Sequence, residues 1–333
     1  MTSFDEVNKL WKGPSVPFPF PSDTYLGNEI LKSLTSSPDS ILIINHDEDY
    51  LMTRREARSL SIKVAKNLLK LNVKPDDVVG FVCKNSKFVA PLMYGCIIVG
   101  APIHPLDVSF TKDEIKQLFE QTKPKVVFCD ADVYETTRDA LKEFGHYAKI
   151  FTLLGKVPEA SFVDEILEEN DSEHDFEPPK FRQPNHKKVV GILCTSGTTG
   201  TPKGTALPHS YFLTFTKFAM APFPMKSFVF SSIYWVSGFS SNILVPFREN
   251  ETKVQTLQPF SPETFAEIIE KHQINSVLQP PAYLHAFLKS PASDSVDLSC
   301  VKLIFMAGAM VSSELLKLAR GKLPTTIFLN AYE

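Results

Sequence analysis

The 333-residue chain is 43% hydrophobic and 22% charged, the ordinary make-up of a soluble globular protein, and it is long enough to bury a substantial core in two lobes. Its net charge of −3 leaves no electrostatic footprint for nucleic acid. Five scattered cysteines (Cys83, Cys96, Cys129, Cys194, Cys300) form no Cys-x-x-Cys pair, and Met-Thr-Ser-Phe-Asp-Glu at the start has no apolar signal core. The cysteines read as reduced, structural thiols of an intracellular compartment.

Helical and extended patterns alternate along most of the length. Thr53 with Glu56 is a capping box, opening a helix with Leu60, Val64, Leu68 and Leu71 on one face. Residues 78–82 follow as a strand, and Ser86 opens the next helix. The uncharged stretch 89–103 is broken by Pro91, Gly95, Gly100 and Pro102. It falls short of the ~18 apolar residues of a membrane span and reads as a core helix followed by a strand. Thr111 with Glu114 caps a helix to about residue 122. Strands are expected at 125–129 and 149–153 around a helix at 134–144. This rhythm predicts an α/β fold with parallel, doubly wound sheets.

Residues 170–188 are acidic and polar, with Pro178, Pro179 and Pro184, and read as a surface linker. A strand at 189–193 comes next. Further strands are expected at 228–232, 254–257, 276–278, 301–306 and 326–329. Ser261-Pro262 starts a helix to about residue 271, and helices at 282–288 and 313–320 separate the later strands.

The strand at 189–193 breaks into Cys194-Thr195-Ser196-Gly197-Thr198-Thr199-Gly200-Thr201-Pro202-Lys203-Gly204. Glycines free the backbone to turn N–H groups inward, hydroxyls add donors, and Lys203 adds a mobile positive charge. Such a concavity suits a polyphosphate. It is not a Walker A loop, because Lys203 follows Pro202 where that motif needs Gly-Lys-Ser/Thr. The plain alternative is a flexible turn with a solvated lysine.

This string resembles the signature of the adenylate-forming (AMP-binding) enzymes, which include acyl-CoA synthetases, 4-coumarate–CoA ligases and beetle luciferases. Leu10-Trp11-Lys12-Gly13-Pro14, Gln279-Pro280-Pro281 and Met306-Ala307-Gly308-Ala309-Met310 resemble further segments of that superfamily, in order. The resemblance implies two doubly wound βαβ subdomains of an AMP-binding N-terminal domain, 74–225 and 15–73 plus 226–333. Most of the family's β-barrel and its C-terminal domain would be missing. It implies activation of a fatty or aryl carboxylic acid by ATP to acyl-AMP, with Mg²⁺, and then transfer to coenzyme A. Thr195, Ser196, Gly197, Thr198, Thr199 and Gly200 would hold the β- and γ-phosphates. Lys203 would support the loop or the departing pyrophosphate. Ala307, Gly308 and Ala309 would let adenine approach the backbone, and Tyr332 would stack on it. An ordinary strand-to-helix turn is the alternative for 307–309.

Trp235-Val236-Ser237-Gly238-Phe239-Ser240 aligns where the luciferase-like branch carries His-His-Gly-Phe-Gly in its acid pocket. Ser237, Gly238 and Phe239 are thus expected at the substrate, although Ser237 cannot carry positive charge. Trp235, Phe239, Phe212, Phe218 and Phe223 either line an acyl pocket or pack the core. The luciferin-orienting arginine of beetle luciferases aligns near Met220, so no luminescence is expected. The chain ends at Ala331-Tyr332-Glu333 directly after an apolar strand, as a truncated product would. The family's Mg²⁺-binding glutamate and catalytic lysine would then lie beyond Glu333, and acid-dependent ATP–pyrophosphate exchange is not expected of this chain alone. A non-catalytic relative that binds nucleotide or acyl groups is the second reading. Peroxisomal placement is implied by resemblance only, with the cytoplasm as the alternative. No histidine pair has metal-ligand spacing, and His209 reads as a structural residue at a helix start.

Overall fold

The computed structural model describes residues 3–13, 19–168, 176–181, 188–195, 203–216 and 222–331. A short hairpin, β1 (Ser3–Asp5) with β2 (Leu10–Lys12), begins the chain. The rest builds two seven-stranded sheets. The first contains β5 (Val79–Val82), β6 (Ile103–Leu106), β7 (Val126–Cys129), β8 (Lys149–Thr152), β9 (Ser161–Phe162), β10 (Val189–Thr195) and β11 (Lys203–Pro208), in the order β11-β10-β6-β5-β7-β8-β9. The second contains β3 (Ile41–Asn45), β4 (Tyr50–Thr53), β12 (Met225–Phe228), β13 (Glu251–Gln255), β14 (Ser276–Gln279), β15 (Leu303–Met306) and β16 (Ile327–Asn330), in the order β16-β15-β14-β12-β13-β3-β4. Each sheet is parallel except for one antiparallel edge pair, β10 with β11 and β3 with β4.

Helices cover these sheets: α1 (Leu26–Ser33), α2 (Arg54–Lys70), α3 (Val89–Val99), α4 (Lys112–Thr122), α5 (Tyr134–Glu143), α6 (Asp164–Leu167), α7 (His209–Thr216), α8 (Val236–Leu244), α9 (Pro262–His272), α10 (Pro281–Lys289) and α11 (Ser313–Lys322). Every residue of α3 is buried. Its Gly95 lets α2 approach closely, since a Cβ there would stand 2.3 Å from Val64 Cγ1. Gly100 closes α3 at φ 79°, the left-handed conformation glycine adopts without strain. Each buried Leu, Ile or Val in this layer contributes ~1.5–3 kcal/mol.

Local signals and outcome agree at several starts. Thr53 accepts from Glu56 N at the head of α2, but the expected capping box is not closed because the Glu56 carboxylate accepts from Tyr50 Oη instead; Thr111 and Glu114 form a full capping box on α4, and Ser261 caps α9 with Pro262 at its first turn. Elsewhere the boundaries move. The strand expected at 228–232 is Met225–Phe228, and that expected at 254–257 is Glu251–Gln255. The helix expected from Ser86 begins at Val89. The exposed strand β11 had no apolar alternation to announce it. Most of the stretch 170–188 lies outside the described residues. Its end is packed rather than a surface linker: Lys188 is buried against Asp76 (Nζ to Oδ2 2.7 Å), and Phe181 lies 4.1 Å from Tyr25, ring to ring.

Candidate active-site cleft

Parallel strands deliver their C-terminal ends to one side of a sheet, and the loops that follow shape the ligand crevice there. Here both sheets turn those ends toward one cleft of about 740 Å³. The first sheet supplies Cys83, Lys84 and Asn85 after β5, and Asp107 and Val108 after β6. The second supplies Phe230, Ser231 and Ser232 after β12, Thr256 to Phe260 after β13, Gln279 and Pro280 from β14, and Ala307 and Gly308 after β15. Trp235 and Ser237, at the head of α8, complete the wall with Tyr283 of α10.

Hydrogen bonds join the two sides. Ser232 Oγ donates to Asp107 Oδ2 (3.2 Å), and Asn85 Nδ2 donates to the carbonyl of Ser231 (3.1 Å). The carboxylate of Asp47, just past β3, holds the 256–258 segment. It accepts from Thr256 Oγ1, Leu257 N and Gln258 Nε2, each at 2.6 Å. Partial burial raises its pKa, but these donors outweigh burial and leave the carboxyl below its usual range. Behind Lys84, Asp130 Oδ2 accepts the Lys84 backbone N–H (2.9 Å), while Oδ1 is buried with no partner among the described residues. Burial pushes this carboxyl up to about 6.

The two ends of the glycine-rich segment pair across the β10–β11 hairpin, Thr195 opposite Lys203. Because β10 runs parallel to β6, Thr195 stands at the same end of the sheet as Asp107, which lines the cleft. Ser196, Gly197, Thr198, Thr199 and Gly200 lie outside the described residues, as do Phe218, Met220 and Tyr332. Ala307 and Gly308 line the cleft, Gly308 at φ 84°, and Ala309 follows on the exposed side. Ser237 and Trp235 line it too, Trp235 with 53% of its surface exposed.

Gly238 and Phe239 stand behind the wall rather than in it. A Cβ on Gly238 would lie 2.1 Å from the Ser232 carbonyl, and Phe239 is fully buried against Gly191 and Phe212. Phe212 and Phe239 are therefore core residues. Phe223 is half-buried beneath Lys302, whose Nζ is 5.4 Å from its ring. His209 is buried too: its Nδ1 accepts from Leu26 N (3.3 Å), its ring stacks on Tyr25, and desolvation drives it down to about 3, so it stays neutral. Cys194 Sγ lies 3.7 Å from His104 Nε2, but burial pushes the thiol up to about 11 and the imidazole down to about 4. The pair is neutral and carries no activated thiolate. Lys84, Asn85, Asp107 and the 256–260 segment carried no motif. Only their place, directly after buried strands, could have pointed to them.

A family model described as "AMP-binding enzyme" matches residues 31–332. The chain belongs to the AMP-binding enzyme family. Among curated relatives it is 25% identical over 316 residues to a probable 4-coumarate–CoA ligase 1 of Dictyostelium discoideum, covering 86% of this chain and 55% of that protein. It is 23% identical over 327 residues to a luciferin 4-monooxygenase of Photinus pyralis, covering 93% and 58%. The chain thus spans about half the length of the curated relatives it matches. Its fold matches that of the luciferase-like enzyme from the nonluminescent mealworm Zophobas morio, with a TM-score of 0.86 at 23% identity, covering 97% of this chain and 74% of that one. It also matches the N-terminal domain of FACL13 from Mycobacterium tuberculosis, with a TM-score of 0.77 at 17% identity, covering 93% and 76%.

Proposed function

We propose that the cleft takes ATP and a fatty or aryl carboxylic acid, and that this chain carries the nucleotide-gripping part of a carboxylate–CoA ligase. The observation that carries this reading is the hairpin. The ends of the hydroxyl- and glycine-rich segment, Thr195 and Lys203, pair at the end of β10 that lies alongside the cleft end of β6. Attack of a carboxylate on the α-phosphorus brings two anions together, so the segment's N–H and hydroxyl donors and the Lys203 ammonium would draw charge toward the β- and γ-phosphates. Ala307 and Gly308 offer a side-chain-poor shelf where a flat base can lie against backbone. Trp235 and Ser237 would face the acid. Ser237 can orient a carboxylate oxygen through one hydrogen bond, but it cannot neutralise it.

Among the described residues no group of three or more His, Cys, Asp or Glu is placed to hold a metal ion, so no step here is assigned to Mg²⁺. Coenzyme A is the thiol that would take the acyl group from the adenylate. Also among the described residues, no helix is long and apolar enough to cross a membrane.

Calorimetry with ATP and AMP tests the reading. The wild-type chain should bind ATP more tightly than AMP. Thr198→Ala with Thr199→Ala should cost ATP about 10–100-fold in affinity, as lost hydrogen bonds to charged phosphate do, and leave AMP unchanged. Equal losses for both nucleotides, or ATP binding that ignores the substitutions, would remove the phosphate role.

A further inference from the structure

One face of β13 is buried, yet it reads Glu251, Lys253, Gln255. Each of these side chains reaches a different partner. Glu251 accepts from Ser227 Oγ and Arg248, Gln255 donates to Asn45 and the Ser86 carbonyl, and Lys253 reaches α8. Lys253 is 1% exposed, and its Nζ donates to Asn242 Oδ1 at 2.7 Å. The same carboxamide sends Nδ2 to the Gly238 carbonyl (3.0 Å), and the backbone carbonyl of Asn242 accepts from Tyr94 Oη of α3 (2.7 Å). Gly238 is the residue packed directly on the Ser231 and Ser232 carbonyls of the cleft wall.

We infer that Lys253 is a positioning residue: by carrying or losing a proton it fixes or frees the Asn242 carboxamide, and through it the seat of the α8 head that places Trp235 and Ser237 in the cleft. An ammonium only donates. Opposite it, Asn242 must present Oδ1, which leaves Nδ2 aimed at Gly238. A neutral amine donates and accepts, so the carboxamide is free to turn over and release the Gly238 carbonyl. Desolvation lowers this lysine to about 7, with Glu251 opposing the shift, so both states are populated near neutral pH. Among the described residues Glu251 is the charged group whose field reaches it; Tyr94 of α3 bonds the same residue, Asn242, and Arg54 at the head of α2 acts on Tyr94 and Glu251. Burial holds Tyr94 protonated, and Arg54 stays charged at these pH values. On the remaining sides α8 presents Asn242, β12 presents Ser227 and β3 presents Ile43, all uncharged.

The test uses the full 333-residue chain with Trp11→Phe, which leaves Trp235 as its single tryptophan. Trp235 emission and its quenching by acrylamide are followed from pH 5.5 to 9, with no nucleotide present. One transition with a midpoint near 7 is expected in this parent. Lys253→Met should abolish it, and Lys253→Arg should hold the low-pH signal throughout. A transition that survives Lys253→Met, or its absence from the parent, overturns the inference. If circular dichroism shows the Met variant unfolded, Asn242→Ala cuts the relay instead: loss of the transition there supports the role, and persistence refutes it. Because ATP plays no part, failure of the nucleotide reading would leave this result standing.

Discussion

Two buried elements are joined through Asn242 of α8 and are built on opposite principles. Helix α3 is apolar on every side, while β13 turns Glu251, Lys253 and Gln255 inward. Apolar burial is non-directional, so α3 is held by volume and close approach. A buried polar group is costly unless its partner sits at one distance and angle, so β13 is held by specific bonds. The costly element is the one whose neighbours, α8 and the Asn85–Ser86 turn, form the cleft. Stability is concentrated in one layer and positional definition in the other.

The largest effect should come from breaking the apolar layer. Gly95→Ala places a methyl 2.3 Å from Val64 Cγ1 and 3.2 Å from the Ala65 backbone nitrogen, and backbone cannot swing aside. A loss of ~2–3 kcal/mol is expected by urea denaturation, the same at pH 6 and pH 9 because no proton is involved.

The polar layer should behave in the opposite way. Lys253 titrates near 7 when folded, well below its ordinary value. Between those two values the unfolded chain holds the extra proton, so stability rises as pH climbs from 7 toward the ordinary lysine value. It is lowest below 7, where both states are charged and the desolvation cost is carried in full. Lys253→Met should flatten this slope, and below pH 7 it should stabilise by about 2 kcal/mol, as replacement of a buried charge by an apolar side chain can. Denaturation midpoints from pH 6 to 9.5 check the sign. A slope that remains in the Met variant would place the titration elsewhere.

Asp130 offers a smaller version at the cleft's rear. Its folded value of about 6 lies above the ordinary carboxylate value. Between about 4 and 6 the native state holds the additional proton, and stability falls as pH rises through that window. Asp130→Asn keeps an acceptor for Lys84 N–H and removes the buried charge. It should gain ~1–2 kcal/mol at pH 7 and nothing at pH 4.

This contrast also explains what could be read from the residues alone. Apolar runs and caps are local signals, so α3 and the starts at Thr53, Thr111 and Ser261 were legible, as was the alternation that makes an α/β fold. The glycine- and hydroxyl-rich string from Thr195 to Gly204 was legible because its composition is rare. The β13 strand was not: its inward residues are charged or amidic, so an apolar scan places it three residues late. The same shift displaced β12, whose true end leaves Phe230 to Ser232 free to line the cleft. Phe212 and Phe239 show the converse limit, since aromatic content does not tell a pocket from a core. Lys84, Asn85 and Asp107 acquire meaning only when two sheets bring their strand ends together, a juxtaposition that no local window contains.

The smallest predicted effect joins the two layers. Tyr94 belongs to the apolar helix, but its hydroxyl is bonded to Asn242, the residue that Lys253 also holds. Tyr94→Phe removes one neutral hydrogen bond and leaves the Asn242 carbonyl short of a donor, a cost of ~1 kcal/mol. If α3 and β13 were independent, adding Lys253→Met would change stability by the sum of the single effects. Because one bond ends on the backbone carbonyl of Asn242 and the other on its side chain, the double mutant should depart from additivity by ~0.5–1 kcal/mol. The departure should be larger at pH 6, where the ammonium constrains Asn242, than at pH 9, where it does not. Strict additivity at both pH values would mean that Asn242 moves as part of the rigid core, and the polar layer would then have no separate say in where the cleft wall sits.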